Sequence, residues 1–150
     1  MKYQQEFLIQ VENDIRPLLE EHWKEIATNQ QEIKLNPDWD MYHYLEEKGF
    51  LKVFTAREEG KLVGYYVAVL SRSLHYKDHL FATNDLIFLR PEYRKGRTGI
   101  KLIQFAEKYL KEDGASVLFI TTKVHKPFGR LLEYLGYTAD EHTYVKCVGN

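Results

Sequence analysis

The chain has 150 residues, the usual size of one domain, and its 44% hydrophobic and 29% charged residues are ordinary for a globular protein. Its 21 lysines and arginines nearly cancel its 22 aspartates and glutamates, which argues against the basic excess of a dedicated nucleic-acid binder. Because Cys147 is the only cysteine and no apolar run approaches the ~20 residues that span a bilayer, we expect one cytoplasmic domain over residues 1–150, without a disulfide or membrane segment.

Two helices are predicted in the first third of the chain. Apolar residues recur at helical spacing over residues 8–28, and a break is expected near Pro17. Residues 40–48 predict a second, shorter helix that ends at Gly49. Asp38 or Asp40 would cap that helix.

The middle of the chain predicts strands. Residues 51–57 and 62–71 alternate or are rich in β-forming residues, and the turn between them indicates a β-hairpin. Residues 80–89 form a third predicted strand, and an amphipathic helix is predicted over residues 100–111. The remaining predicted elements are a buried strand at 117–121, a helix at 127–135 and a last strand from Tyr137 to about Cys147. This order predicts an α/β (α+β) fold with a mixed, mostly antiparallel central sheet and helices on both faces.

The loop between Leu89 and Ile100 carries the clearest chemical pattern. It joins a strand to a helix, whose first amides have no partner within the helix. Two glycines permit close approach, and Arg94, Lys95, Arg97 and Lys101 add positive charge, so the loop predicts a phosphate or pyrophosphate site. A solvated basic loop remains the alternative. The loop lacks the Gly-Lys-Ser/Thr of a Walker motif and the third glycine of a dinucleotide fingerprint.

The run Leu-Arg-Pro-Glu-Tyr-Arg-Lys-Gly-Arg-Thr-Gly-Ile-Lys-Leu-Ile from Leu89 to Ile103 resembles the cofactor loop of the GNAT acetyltransferases. That family has a Pro-Glu-Tyr-Arg lead-in and an Arg/Gln-x-x-Gly-x-Gly/Ala loop. Residues 128–137, which end in Tyr-Leu-Gly-Tyr, are similar to the family's helix before a Leu-Gly-Phe ending. The element order matches over roughly residues 5–146, and the whole sequence also resembles the GNAT proteins of tailed phages.

The resemblance implies a GNAT-like acyl-CoA N-acyltransferase fold, with acetyl-CoA as co-substrate and an unidentified primary amine as acceptor. The balanced charge and the lack of a long apolar run predict no nucleic-acid or membrane partner, and the resemblance is compatible with a homodimer formed through the sheet edge or the last strands. No metal is expected, because the six histidines form no ligand pattern. The residues that would bind the cofactor are Phe88, Leu89, Arg94, Lys95, Gly96, Arg97, Thr98, Gly99, Ile100 and, where the family often has Asn, His125.

This sequence departs from the family pattern at two places. Arg97 stands where the first loop glycine is usual, and Gly96 comes one place earlier, so either the turn shifts or Arg97 points outward. Leu132 stands where the family often has a Tyr that protonates the leaving thiolate. Tyr134 is the nearest replacement, although it lies about 200° further round a helix.

The resemblance also implies catalytic roles. The backbone N–H of Leu89, with Phe88 beside it, would polarise the thioester oxygen, Asp85 would act as the base, and Tyr134 would be the acid. An exposed strand Asp or an ion pair with Arg90 is the alternative interpretation of Asp85. Further candidates for the amine side are His22 and Glu25, the loop His75–His79, and the pair Glu141 and His142, for which an exposed turn is the alternative. The alternative function is a catalytically weak acyl-CoA-binding or protein-interaction module on the same fold.

Overall fold

The computed structural model describes residues 1–149 and is built on one five-stranded sheet. Strands β1 to β4 are antiparallel to their neighbours, whereas β4 and β5 are parallel. The predicted mixed, mostly antiparallel sheet is therefore confirmed. In sheet order, the strands are β1 (Lys2–Glu6), β2 (Leu51–Glu58), β3 (Lys61–Arg72), β4 (Leu80–Leu89) and β5 (Ala115–Phe119).

Helices cover both faces of the sheet, as predicted. One face packs against α1 and α2 around a cluster that includes Val11, Leu18 and Tyr65. The other face packs against α3 and α4 around Phe54 and Leu102. The helices are α1 (Leu8–Ile26), α2 (Trp39–Glu47), α3 (Thr98–Glu112) and α4 (Gly129–Tyr134), with one turn of 3₁₀-helix at Pro91–Tyr93.

The hairpin between β2 and β3 closes through a two-residue turn. Glu59 and Gly60 both have positive φ, at 50° and 81°, as a type I′ turn requires. Beyond a bulge at Val63, every second side chain of the hairpin faces α1 and α2. The predicted cap of α2 is also confirmed, since Oδ1 of Asp38 accepts a hydrogen bond from the amide of Met41 at 2.9 Å.

The first third of the chain differs from the prediction in two ways. Helix α1 runs through Pro17 without a break, because that residue faces solvent, where water can bond the carbonyl that proline leaves unpaired. Strand β1 was not predicted, since its residues are mostly polar. Its last residue, Glu6, is buried by Arg57, whose Nε donates to the carboxylate at 2.9 Å.

The end of the chain also differs. The predicted last strand from Tyr137 to Cys147 is wrong for the described residues, because positions 137–149 form no strand. β-Branched and aromatic residues favour a strand only where a neighbouring edge pairs with them, and Tyr144 and Val148 are about 90% exposed. The preceding helix is shorter than predicted and covers only Gly129–Tyr134.

Candidate active site

Strands β4 and β5 separate part of the way along β4. Their pairing begins at Leu80 and ends where Thr83 lies opposite Phe119. Beyond that point, the side chain of Asn84 replaces the ladder: its Nδ2 donates to the carbonyl of Thr121 at 3.2 Å, and its Oδ1 accepts from the Thr121 amide at 2.7 Å. The second half of β4 is therefore unpaired on this side.

A cavity of about 290 Å³ occupies this opening. It lies between the second half of β4, the end of α1 and the segment that follows β5. Its lining includes apolar groups and charges of both signs, with a carboxylate on β4 and two lysines in the segment after β5. The lining residues are His22, Ile26, Asn84, Asp85, Leu86, Ile87, Thr121, Thr122, Lys123, Lys126 and Phe128.

A β-bulge sets the position of Asp85 at this cavity. Val67 lies opposite Leu86 and Ala68 lies opposite Asn84, which leaves Asp85 as the extra residue of β4. Bulges redirect side chains and are common beside active sites. The carboxylate of Asp85 is exposed, and its Oδ2 accepts a hydrogen bond from the hydroxyl of Tyr42 at 2.5 Å. The side chain predicted as the base thus lines the cavity, and a hydrogen bond from Tyr42 on α2 holds it there.

The amide of Leu89 points toward the open side of β4. The amide of Arg90 donates to the carbonyl of Val63 on β3 at 2.8 Å. Because N–H groups alternate between the two sides of a strand, the N–H of Leu89 faces away from β3, and that of Phe88 faces β3. Of the two residues predicted to polarise a carbonyl oxygen, Leu89 therefore has the free donor.

The loop after β4 makes its turn at Gly96. This residue has φ of +93°, which only glycine adopts readily, whereas Arg97 has an ordinary φ of −108° and immediately precedes α3. The first helical hydrogen bond runs from the Lys101 amide to the Arg97 carbonyl at 2.9 Å. The shifted glycine therefore shifts the turn, and the amides of Thr98, Gly99 and Ile100 have no partner within the helix.

The side chain of Arg94 is engaged within the protein. Its Nη1 and Nη2 donate to the two carboxylate oxygens of Glu25 at 2.6 and 2.7 Å, and its Nε donates to the carbonyl of Leu89 at 2.7 Å. The hydrogen bonds from Arg94 hold the pKa of Glu25 below its usual range. The guanidinium also lies 5.5 Å from the ring centre of Phe88.

His22 is the buried titratable group of the cavity wall. Its ring stacks on Phe88 with centres 4.9 Å apart, and its Nδ1 lies 3.0 Å from the hydroxyl of Tyr65. Burial lowers its pKa from 6.5 to about 4, so the imidazole is neutral at pH 7. The role of Tyr65 was missed, as was that of Tyr42, because each is separated by 43 residues from the partner that it bonds.

The predicted acid Tyr134 and the predicted cofactor residue His125 also lie outside this cavity lining. Tyr134 is 65% exposed, and His125 is exposed in the loop before α4. Leu132 is buried in the core under the sheet. The loop His75–His79 precedes β4, so it lies at the opposite end of that strand from Gly96.

Among residues 1–149, no three His, Cys, Asp or Glu side chains are grouped as a metal site would need. No helix in the same range is long and apolar enough to cross a bilayer.

The fold is similar to that of several solved acetyltransferases. A ribosomal-protein-alanine N-acetyltransferase from Brucella melitensis is 19% identical, with a TM-score of 0.73 over 99% of this chain and 100% of that one. An aminoglycoside acetyltransferase from an uncultured soil metagenomic sample is 16% identical, with a TM-score of 0.73 over 99% and 95%. Glucosamine-6-phosphate N-acetyltransferase from Arabidopsis thaliana is 12% identical, with a TM-score of 0.73 over 99% and 100%. No curated protein matches the sequence.

The family comparison covers most of the chain. The sequence profile described as the acetyltransferase (GNAT) family matches residues 13–137, which include β2 to β5, the cavity and the loop at Gly96. That family uses acetyl-CoA as co-substrate. The chain therefore belongs to the GNAT family of acetyltransferases.

Proposed function

We propose that the protein moves an acetyl group from acetyl-CoA to a primary amine by direct attack in a ternary complex. The observation that carries this proposal is that Asp85, on the cavity, and the Leu89 amide, which faces away from β3, both lie on the half of β4 that β5 leaves open and that leads into the Gly96 loop. A carboxylate base, a free N–H donor and an anion site are what acetyl transfer to an amine needs.

The cofactor would be held at the junction between β4 and α3. Pyrophosphate suits the unpartnered amides of Thr98, Gly99 and Ile100, since a helix start carries partial positive charge. The side chains of Lys95 and Arg97 are exposed there and add formal charge. Phe88 would contribute through its packing beneath Arg94, and His125 would lie on the side of the α4 loop.

The roles of the protein groups follow from what the reaction requires. Acetyl-CoA supplies the acetyl group as a thioester. The acceptor amine must be neutral when it attacks. A protonated amine must therefore lose a proton, and the carboxylate of Asp85 would take it, directly or through one water. As the new C–N bond forms and the C–S bond breaks, the Leu89 N–H would donate to the carbonyl oxygen on which charge builds.

The tyrosine that often protonates the leaving thiolate in this family is replaced here by Leu132, which is buried and has no hydroxyl. Tyr134 is the proposed acid, and its exposure leaves solvent as the competing proton source. The variant Tyr134→Phe separates the two: a proton from Tyr134 predicts a loss of kcat of about tenfold or more, and a proton from water predicts none.

For the acceptor, the proposal names a chemical class, primary amines, and no single compound. The cavity is lined by the Asp85 carboxylate and by Lys123 and Lys126, so the acceptor panel must include amines with and without an anionic group. Aminoglycosides, an amino sugar phosphate and peptides with N-terminal alanine sample the classes that the similar structures are named for. A homodimer is a further proposal, which sedimentation equilibrium tests.

The experiment is acetyl transfer by wild type and Asp85→Asn across this panel, with release of CoA as the readout. We expect kcat to fall by about 100-fold or more in the variant, with affinity for CoA unchanged. Asp78→Asn is the matched control, because Asp78 is exposed before β4 and remote from the cavity lining. Equal rates for wild type and Asp85→Asn would remove Asp85 from the chemistry.

The second candidate is an acyl-CoA-binding or protein-interaction module without turnover. The replacement of the usual Tyr by buried Leu132 favours it. It predicts CoA binding by the wild type but no release of CoA with any amine, and no effect of Asp85→Asn.

A further inference from the structure

The guanidinium of Arg94 joins three parts of the fold. Its two terminal nitrogens donate to the two carboxylate oxygens of Glu25, in the last turns of α1, at 2.6 and 2.7 Å. Its Nε bonds the carbonyl of Leu89, the last residue of β4, at 2.7 Å. Arg94 itself lies in the loop before α3, so one side chain ties helix, strand and loop together.

The same region of α1 makes a second contact with the end of β4. His22, three residues before Glu25 and on the same helix face, stacks on Phe88. The guanidinium of Arg94 lies against that ring as well, at 5.5 Å. The pair is partly shielded from solvent by these surroundings, since Glu25 is 20% exposed and Arg94 39% exposed.

We propose that Glu25 and Arg94 form a positioning clamp that sets the height of the Gly96 loop over the end of β4, and that Arg94 is not itself a phosphate ligand. The proposal rests on the proposed function, because the loop matters only if it binds CoA. The clamp leaves attraction of phosphate to Lys95, Arg97 and the helix amides. It also holds the Leu89 carbonyl, and with it the residue whose N–H faces the open side of β4.

The chemistry of the pair argues for positioning over direct binding. A guanidinium offers a planar fork that matches a carboxylate with two parallel bonds, and such pairs add geometric specificity. If Arg94 turned to a phosphate, the Glu25 carboxylate and the Leu89 carbonyl would both lose their donors. Three good hydrogen bonds would be broken to make the new ones.

The test is calorimetric titration of CoA into wild type and Glu25→Gln. A clamp predicts that the Kd for CoA rises by about tenfold, because the loop loses its charge-assisted anchor. A direct ligand role predicts an unchanged or lower Kd, since removal of a nearby negative charge frees Arg94 for phosphate. Glu20→Gln is the matched control, because Glu20 lies on the same helix and pairs only with exposed Lys24, at 3.2 Å.

A second variant keeps the charge and removes the fork. Arg94→Lys retains attraction for phosphate but makes no bidentate pair, so the clamp predicts about the same tenfold rise in Kd. A ligand role predicts little change. In steady-state assays, the clamp predicts that the KM for acetyl-CoA rises while the KM for the amine stays within twofold, a split that general loss of structure would not produce.

An exchange of the two charges is the last part of the experiment. Glu25→Arg combined with Arg94→Glu would restore part of the affinity that Arg94→Glu alone loses, whereas Glu25→Arg alone would weaken binding despite its added positive charge. Kd values within twofold of wild type for both Glu25→Gln and Arg94→Lys would overturn the clamp and leave the proposed function standing. No CoA binding by the wild type would overturn both.

Discussion

The hydroxyl of Tyr42 donates to Oδ2 of Asp85 at 2.5 Å and so joins helix α2 to the bulge in β4. The bond orients one carboxylate oxygen and leaves the other for a substrate. Burial and the neighbouring carboxylate raise the pKa of Tyr42, so its proton stays in place through the range in which an amine is acetylated.

Tyr42→Phe removes this bond and keeps the ring. We expect kcat/KM for the amine to fall by about threefold to tenfold, since the carboxylate gains rotational freedom, while affinity for CoA stays the same. The control is Tyr44→Phe, which changes an exposed ring of the same helix. A wild-type value of kcat/KM in Tyr42→Phe would contradict the orienting role.

Gly96→Ala tests the shifted turn. Its φ of +93° is unfavourable for a residue with Cβ, although no atom lies within 4 Å of the added carbon. We expect the free energy of unfolding to fall by ~1–2 kcal/mol and CoA binding to weaken as the loop relaxes. Gly129→Ala also meets no atom but needs no left-handed backbone, so it should cost little in chemical denaturation. Equal effects of the two substitutions would exclude backbone strain as the cause.

Gly64→Ala tests the close approach of β3 to the end of β4. The added Cβ would lie 2.7 Å from Cδ1 of Leu89 and 2.9 Å from the carbonyl oxygen of Phe88. We expect a loss of stability of about 1–3 kcal/mol in urea unfolding and a lower kcat, because the Leu89 amide moves. Gly99→Ala, whose Cβ would be 3.5 Å from Leu131, should unfold like wild type.

His22 predicts a dependence of stability on pH. Burial lowers its pKa from 6.5 to about 4, so between these values the unfolded chain binds a proton that the folded chain excludes. The free energy of unfolding should therefore fall by about 2–3 kcal/mol as the pH drops from 6.5 toward 4. His22→Asn should flatten this slope, whereas exposed His125→Asn should not. Parallel curves for wild type and His22→Asn would show that another group titrates.

Much of this fold was predictable because periodicity reports which face of an element is buried. β4 begins and ends at the predicted residues, and α3 differs by two residues at its start. β1 was missed because a polar edge strand is stabilised by its partners, here Arg57 on β2, and leaves no apolar pattern. The last strand was wrong for the complementary reason, since residues 137–149 have the composition of a strand but pair with no edge of the sheet.

The candidate site was predictable where one short segment carries it. The loop from Leu89 to Ile100 is recognisable in the sequence because its glycines and positive charges stand in one continuous run. Pairings across the fold leave no such signal: Arg94 with Glu25 spans 69 residues, and Tyr42 with Asp85 spans 43. The roles of Asp85, Tyr134 and His125, the cytoplasmic location and the narrower resemblance to phage proteins remain predictions.

The most direct test of the account is calorimetric titration of acetyl-CoA into wild type and Gly99→Trp. The new indole would start from a Cβ only 3.5 Å from Leu131 and would fill the junction between β4 and α3, whereas Gly149→Trp, with no atom within 4 Å, serves as the control. We predict saturable 1:1 binding by wild type and control, and binding lost in Gly99→Trp. Equal binding by all three proteins, or none by the wild type, would contradict the assignment of the junction as the cofactor site.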